Sequence, residues 1–198
     1  MILGNERGSR TPTGHRVAPM TYAKLEAIAE DLGKLLPKVS GSNGMRIDAR
    51  RTLEVRLRQA GYEPHVVEVE KLDDCAAFTI PERRLIVFRE DVYDGIEENK
   101  VFSRSTVVHE LSHIVLEHAV TLKRGPIGSH KFYEDSEWQA KALTAAIMMP
   151  LDACRAVNSA VDLAQLCGTS VQAATYRLER LVEKQIIPAK KFGPGLFD

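Results

Sequence analysis

Apolar residues recur at three- and four-residue intervals in several segments of the chain, which is the spacing of amphipathic helices. This pattern predicts six helices. The first covers about residues 21–36, and the second follows a loop at 40–44 and ends near residue 60. The third covers 105–119, and the fourth ends before residue 150. Two short ones follow. Their ends carry residues typical of helix caps and stops: Thr21, Pro37, Gly61, Pro150, Asp162 and Ser170.

Between residues 65 and 89 the pattern changes to short, partly alternating runs that are rich in β-branched and aromatic residues. The runs are HVVEVE, CAAFTI and RRLIVFR, and residues 81–83 separate the last two in the manner of a hairpin turn. We therefore predict a small antiparallel sheet directly before the helix at residues 105–119. The fold class that follows is α+β, with a helical C-terminal segment.

Length and composition fit one soluble domain with a short appendage. The chain has 198 residues, 44% of them hydrophobic, and its 27 basic residues balance 27 acidic ones. Neither a nucleic acid nor a membrane is required as a partner, and three cysteines without CxxC spacing favour a reducing compartment, so we expect the cytoplasm. The predicted division is a flexible lead over residues 1–19, a core over 20–150 and a helical segment over 151–198.

The run HELSH at residues 109–113 lies within the third predicted helix. Residues four apart share one helical face, so His109 and His113 can bind one ion. Glu110 lies beside them, where it can accept a proton from the attacking water and return it to the leaving amine. Zinc would acidify that water and polarise the scissile carbonyl. The motif predicts one zinc ion per chain, and manganese suits the same ligands.

A third protein ligand has to come from another part of the chain. His118 is expected to face away from the motif, because it lies nine residues after His109, and nine residues at about 100° each are two and a half turns, which ends on the opposite face. The acidic residues near the start of the next helix are Glu134, Asp135 and Glu137. Glu137 is the best placed of these, since small residues at positions 140 and 144 follow on its face and would let the two helices approach closely.

Two further groups are candidates for lining the cleft. His130 and Tyr133 precede the helix of Glu137 and could stabilise the oxyanion of the transition state. The strand at residues 76–80 could pair with an extended substrate; it consists of Ala76, Ala77, Phe78, Thr79 and Ile80. If it does, a proline at position 78 should impair cleavage more than folding.

The segments STVVHELSHIVLEH and EWQAKALTAAIMMP resemble the ImmA/IrrE family of cytoplasmic metallopeptidases, whose pattern is HExxH, then ExxA, then a helix ending in Met-Pro. The resemblance covers about residues 20–150 and implies a zincin-like core. It implies zinc binding by His109, His113 and Glu137, with Glu110 as the general base. The implied substrate is a helix-turn-helix repressor of the XRE type, whose cleavage derepresses stress-response or mobile-element genes.

This chain departs from the family pattern at two places. Residues 105–108 are Ser-Thr-Val-Val where the family usually has Phe-Thr-x-Ala, and Lys141 stands where Asn or Asp is common. These departures affect the fine positioning of the site and leave the implied ligands in place.

The C-terminal segment keeps two other functions open. Residues 162–181 have the outline of a helix-turn-helix, with Gln172, Thr175 and Arg180 on the second helix, where DNA readers carry their contacts. However, residues 151–198 hold 6 Lys/Arg and 5 Asp/Glu, which is no basic stripe. The alternatives to a peptidase are a non-proteolytic metal-binding regulator that acts by protein contact and a regulator that binds DNA through this segment.

Overall fold

A computed structural model of the chain describes residues 12–72, 75–118 and 130–189. Within these ranges it has mixed α/β architecture, with eight α-helices and one three-stranded sheet, which confirms the predicted class. The elements in chain order are α1 (Tyr22–Leu35), α2 (Ala49–Arg51) continued by a π-helical turn (Thr52–Leu57), β1 (Glu63–Val67), β2 (Ala77–Ile80), β3 (Leu85–Arg89), α3 (Glu90–Glu97), α4 (Val101–Val115), α5 (Ser136–Met148), α6 (Leu151–Ala156), α7 (Ala160–Cys167) and α8 (Val171–Glu183). None of the helices described is long and apolar enough to cross a membrane.

Most helix starts follow the caps that the sequence carries. The Thr21 hydroxyl accepts a hydrogen bond from the Lys24 backbone N–H at the start of α1, and the Ser170 hydroxyl does the same for Ala173 in α8. The start of α7 differs from the prediction, because Ser159 rather than Asp162 is its N-cap. Helices α3 and α6 were not predicted, and α4 begins at Val101, four residues before its predicted start.

The sheet has the strand order β1-β3-β2 and is mixed rather than antiparallel throughout. Strand β2 runs antiparallel to β3, as the turn at Pro81–Arg83 predicts, but β1 runs parallel to β3. The chain between β1 and β2 therefore crosses from one side of β3 to the other. The alternation of apolar and polar residues in a strand does not show on which side of β3 that strand pairs. The central strand β3 is buried at Ile86 and Phe88, and β2 forms an edge of the sheet.

Two hydrophobic clusters fill the interior of the part of the chain that the structure describes. The first joins α1, β3, α3, α4 and α5, and the second joins α6, α7 and α8 to Met149 at the end of α5. Arg177 of α8 links them: its guanidinium forms a bidentate ion pair with Glu26 of α1 and donates from Nε to the Met149 carbonyl, 3.2 Å away. The C-terminal helices are thereby fixed against the core. The domain boundary at residue 150 stays a prediction.

Residues 12–19, which the sequence places in a flexible lead, differ from that expectation. Val17 is buried and its backbone N–H donates to the Glu134 carbonyl at 2.7 Å, next to a bridge between Arg16 and Asp135. This part of the lead packs against the start of α5. Residues 1–11 of the predicted lead lie outside the described residues.

Candidate metal centre

Helices α4 and α5 pack closely beside the HELSH motif. The hydroxyls of Ser112 and Thr144 are 3.1 Å apart across the contact, and Ala140 is completely buried. Each hydroxyl also donates to the carbonyl four residues earlier in its own helix, so neither polar group is left unsatisfied. The small side chains at positions 140 and 144 therefore let α5 approach α4 closely, as predicted.

The structure brings together the three side chains that were predicted as metal ligands. Nε2 of His109 lies 3.2 Å from Nε2 of His113, and the Glu137 carboxylate lies 3.4 Å and 3.2 Å from these two nitrogens. A tetrahedral zinc site with bonds of about 2.0–2.1 Å has ligand atoms separated by about 3.3 Å. Among the described residues, this is the one group of three His, Cys, Asp or Glu side chains close enough to hold a metal. The donor set therefore fits a divalent ion.

His118 does not face away from the motif, and that prediction is wrong. Helix α4 ends at Val115, and Glu117 has a left-handed conformation with φ of 52°, so a turn of 100° per residue no longer applies. The chain folds back and places Nδ1 of His118 2.9 Å from Nδ1 of His113. This buried histidine contacts a predicted ligand, although it is not close enough to the others to be one.

A chain of hydrogen bonds fixes the tautomer of His113. Nε2 of Gln139 donates to two carbonyls, those of Ala18 and Tyr133, so its Oε1 must accept from Nε2 of His118 at 3.1 Å. Nδ1 of His118 is then an acceptor, and the proton between the two rings belongs to Nδ1 of His113. The lone pair of His113 is consequently on Nε2, which faces His109 and Glu137.

Burial and hydrogen bonding set the charges of His118 and Glu137. Burial lowers the pKa of His118 to about 4, so the ring is neutral, as the hydrogen-bond pattern requires. The hydrogen bond from His109 holds the pKa of Glu137 well below its usual range. Glu137 is therefore an anionic carboxylate, the form that binds metal ions.

Replacing His118 with phenylalanine should weaken metal binding about 10- to 100-fold, the usual range for loss of a partner that orients a ligand. The ring keeps its volume but cannot accept from Nδ1 of His113. The measurement is the dissociation constant for Zn²⁺, obtained by competition with a chelator. His65→Phe, at an exposed position on β1, is the matched control. An unchanged constant for His118→Phe would contradict the orienting role.

Glu110 is buried beside the three ligands. Its Oε2 accepts a hydrogen bond from the Thr79 hydroxyl of β2 at 2.8 Å, which leaves Oε1 without this contact. Burial raises the pKa of Glu110, and the Thr79 hydrogen bond opposes that shift. A carboxylate with a raised pKa is suited to accept and return a proton near neutral pH. The sequence named Thr79 only as a strand residue, since nothing local indicates a contact with residue 110.

The three predicted ligands line a cavity of about 1000 Å³. Strand β2 forms one wall, with Ala77, Phe78 and Thr79 facing or flanking the opening. Another wall comes from α8, whose Tyr176 and Arg180 line the same cavity. The C-terminal segment is thus part of the cleft, which the sequence did not predict.

His130 and Tyr133 do not lie beside the three predicted ligands. Nε2 of His130 lies 3.1 Å from the Asp135 carboxylate, and both side chains are almost completely buried. Tyr133 contributes its backbone carbonyl to Gln139, and neither residue lines the cavity. Their role in stabilising the transition state stays a prediction. Asp135 caps α5 by accepting from the Trp138 N–H at 2.8 Å, and Glu134 pairs with Arg16, so neither acts as an alternative to Glu137 here.

The residues suggested for DNA contacts are only partly available on α8. Arg180 stacks over the Tyr176 ring at 4.9 Å and forms an ion pair with Glu183. The Thr175 hydroxyl donates to the Val171 carbonyl of its own helix, while Gln172 is exposed. Arg180 therefore faces the cleft rather than standing free for phosphate or base contacts. DNA binding stays an untested prediction.

Residues 99–179 match the family model Peptidase_M78, described as the IrrE N-terminal-like domain. The resemblance to the ImmA/IrrE family is confirmed. The match supports peptidase activity in general and a mixed α/β, zincin-like domain. It begins just before α4 and continues into α8, so it extends past the Met-Pro sequence where the resemblance had been expected to end, and it does not reach α1 or the sheet. A comparison with curated proteins found no match.

Proposed function

We propose that this protein is a zinc-dependent endopeptidase of the ImmA/IrrE family that acts in the cytoplasm. The observation that carries the proposal is the convergence of His109, His113 and Glu137 to separations of 3.2–3.4 Å, with Glu110 buried beside them. Two neutral imidazoles, one carboxylate and an adjacent general base form the donor set of a hydrolytic zinc site. A closed structural site would instead use four protein ligands.

Each residue of the site has a defined task in the proposed reaction. His109, His113 and Glu137 would hold the ion, which supplies Lewis acidity to the scissile carbonyl and the attacking water. Oε1 of Glu110 accepts the proton of that water and passes it to the leaving amine. Thr79 holds Oε2 of Glu110, so the carboxylate keeps one orientation through both transfers.

Among the described residues, no strand pairs with the outer edge of β2, and this edge is proposed to bind the substrate as an added strand. Arg89 donates to the Ala76 carbonyl at 3.0 Å, which makes Ala76 and Arg89 a hydrogen-bonded pair. Such pairs alternate along an antiparallel ladder, so Phe78 is bonded to Val87, and the backbone of Ala77 points to the open edge. A proline at position 78 would break the sheet itself, which corrects the test expected from the sequence.

Ala77→Pro is therefore the informative change. It removes one outward N–H, and loss of one hydrogen bond to the substrate backbone, about 0.5–1.5 kcal/mol, should lower kcat/KM about 2- to 12-fold. The thermal unfolding midpoint should hardly change, because proline is tolerated at edge positions. Phe78→Pro is the matched control and should lower the midpoint. Equal losses of stability and cleavage in Ala77→Pro would contradict substrate pairing at this edge.

The proposed substrate is a helix-turn-helix repressor of the XRE type, and its cleavage would derepress stress-response or mobile-element genes. A polypeptide substrate is supported by the lining of the cleft, which includes residues of β2, the three predicted ligands and residues of α8. The experiment is incubation of the Zn²⁺-loaded protein with a purified repressor from a neighbouring reading frame, followed by mass spectrometry of the products. One new pair of termini supports this substrate; an intact repressor beside a cleaved generic protein would keep the peptidase and reject the repressor.

A further inference from the structure

Five residues of the N-terminal region lie across the start of α5, directly before the predicted ligand Glu137. We name residues 14–18 the strap. The Gly14 N–H donates to the Asp135 carboxylate at 2.7 Å, and the Val17 N–H donates to the Glu134 carbonyl. These bonds join positions about 120 residues apart in the sequence, so the strap is held by tertiary contacts alone.

Two hydrogen bonds tie the strap to the residue next to Glu137. The His15 N–H donates to the Ser136 hydroxyl, and the Ser136 N–H donates to the His15 carbonyl, each at 3.0 Å. Ser136 is the first residue of α5, and its N–H is among those that have no partner within the helix. The strap therefore supplies that partner and fixes the backbone from which the Glu137 side chain extends.

Position 14 has no room for a side chain beside Glu137. A Cβ atom at position 14 would lie 2.5 Å from the Ser136 hydroxyl, 2.7 Å from the Glu137 nitrogen and 2.8 Å from Glu137 Cγ. Real side chains do not approach so closely, and two of the three atoms belong to the ligand residue. Glycine is required here because the strap backbone packs against the stem of Glu137.

The strap also contacts Gln139, two residues after Glu137 in α5. The Ala18 carbonyl accepts from Nε2 of Gln139 at 2.8 Å, and this bond helps to turn Oε1 of Gln139 toward His118. His118 in turn contacts Nδ1 of His113. One short segment thus contacts the residues that orient two of the three ligands, and His15 lines the cavity between them.

We infer that the strap is a positioning element of the metal site: it holds Glu137 and the Gln139–His118–His113 chain in the geometry that binds the ion. The inference rests on the proposed metal site and adds to it a segment outside the residues that match the family model. The strap contributes no residue to either hydrophobic cluster, so its displacement should lower metal affinity more than the stability of the core.

The test uses Gly14→Ala in the full chain. An added methyl group would push the strap away from Glu137. The dissociation constant for Zn²⁺ should therefore rise about 10- to 100-fold, the usual range for loss of a contact that orients a metal ligand. Hydrogen exchange at the Ser136 amide should accelerate, while the circular dichroism spectrum stays that of the wild type. Gly33→Ala in α1 is the matched control: among the described residues, an added Cβ would meet no atom within 4 Å beyond the nearby backbone of its own helix, so the affinity should be unchanged.

Ser136→Ala covers the case in which Gly14→Ala does not fold. It removes only the hydroxyl that accepts from the His15 N–H, and affinity should fall by up to about tenfold. Wild-type affinity in either folded variant, whatever the exchange rate of the Ser136 amide, would overturn the strap's role and leave the proposed metal site standing. A wild-type chain that takes up no Zn²⁺ would overturn the metal site and the strap's role together.

Discussion

Replacing Glu110 with glutamine should abolish peptide hydrolysis while the protein keeps its metal. The amide has nearly the same shape and can still accept from the Thr79 hydroxyl, but it cannot take a proton from the attacking water. Loss of a general base lowers rates about 10²- to 10⁴-fold. The measurements are kcat/KM on a protein substrate and the metal content by elemental analysis.

Glu30→Gln is the matched control for this change. Glu30 is an exposed residue of α1 that pairs with Lys34, and its loss should alter neither activity nor metal content. The experiment also separates the two leading functions. A regulator that acts by contact would keep its cellular effect in Glu110→Gln, whereas a peptidase would lose it. Undiminished hydrolysis in the variant would exclude Glu110 as the base.

Replacing Glu137 with alanine should remove the metal itself. The change deletes the carboxylate that closes the ligand set from α5, and two histidines on one helix are a weak site by themselves. Affinity should fall by more than about 100-fold, beyond the range for residues that only orient a ligand. Elemental analysis of protein purified without added metal should find about one zinc ion per wild-type chain and far less in the variant.

Glu134→Ala is the control for Glu137→Ala, because the sequence offers it as a nearby acidic residue. Its side chain is not one of the three predicted ligands, but it pairs with Arg16 of the strap at 3.1 Å. Glu134→Ala should therefore lose much less metal than Glu137→Ala. Equal metal loss in both variants would point to a disturbed α5 rather than a missing ligand, and a wild-type chain without zinc would move the contact regulator ahead of the peptidase.

Several features of the molecule are local and were predicted from the sequence. The cap at Thr21 and the stop at Pro37 place α1, and the four-residue spacing of His109 and His113 places both rings on one face of α4. Glu137 was also predicted, since small residues on its face allow α5 to approach α4. Such features depend on backbone geometry within a few turns, which the order of residues determines directly.

Only the tertiary structure decided how the site is supported and what surrounds it. The left-handed backbone of Glu117 turns His118 back onto His113. Strand β1 pairs with the far side of β3, which leaves β2 at the edge of the sheet. Arg177 fixes α8 as a wall of the cleft. The strap pairs with residues about 120 positions away. Contacts of this kind arise from packing between distant segments, and the hydrophobic pattern of each segment is satisfied by many such packings, so sequence periodicity alone does not select among them.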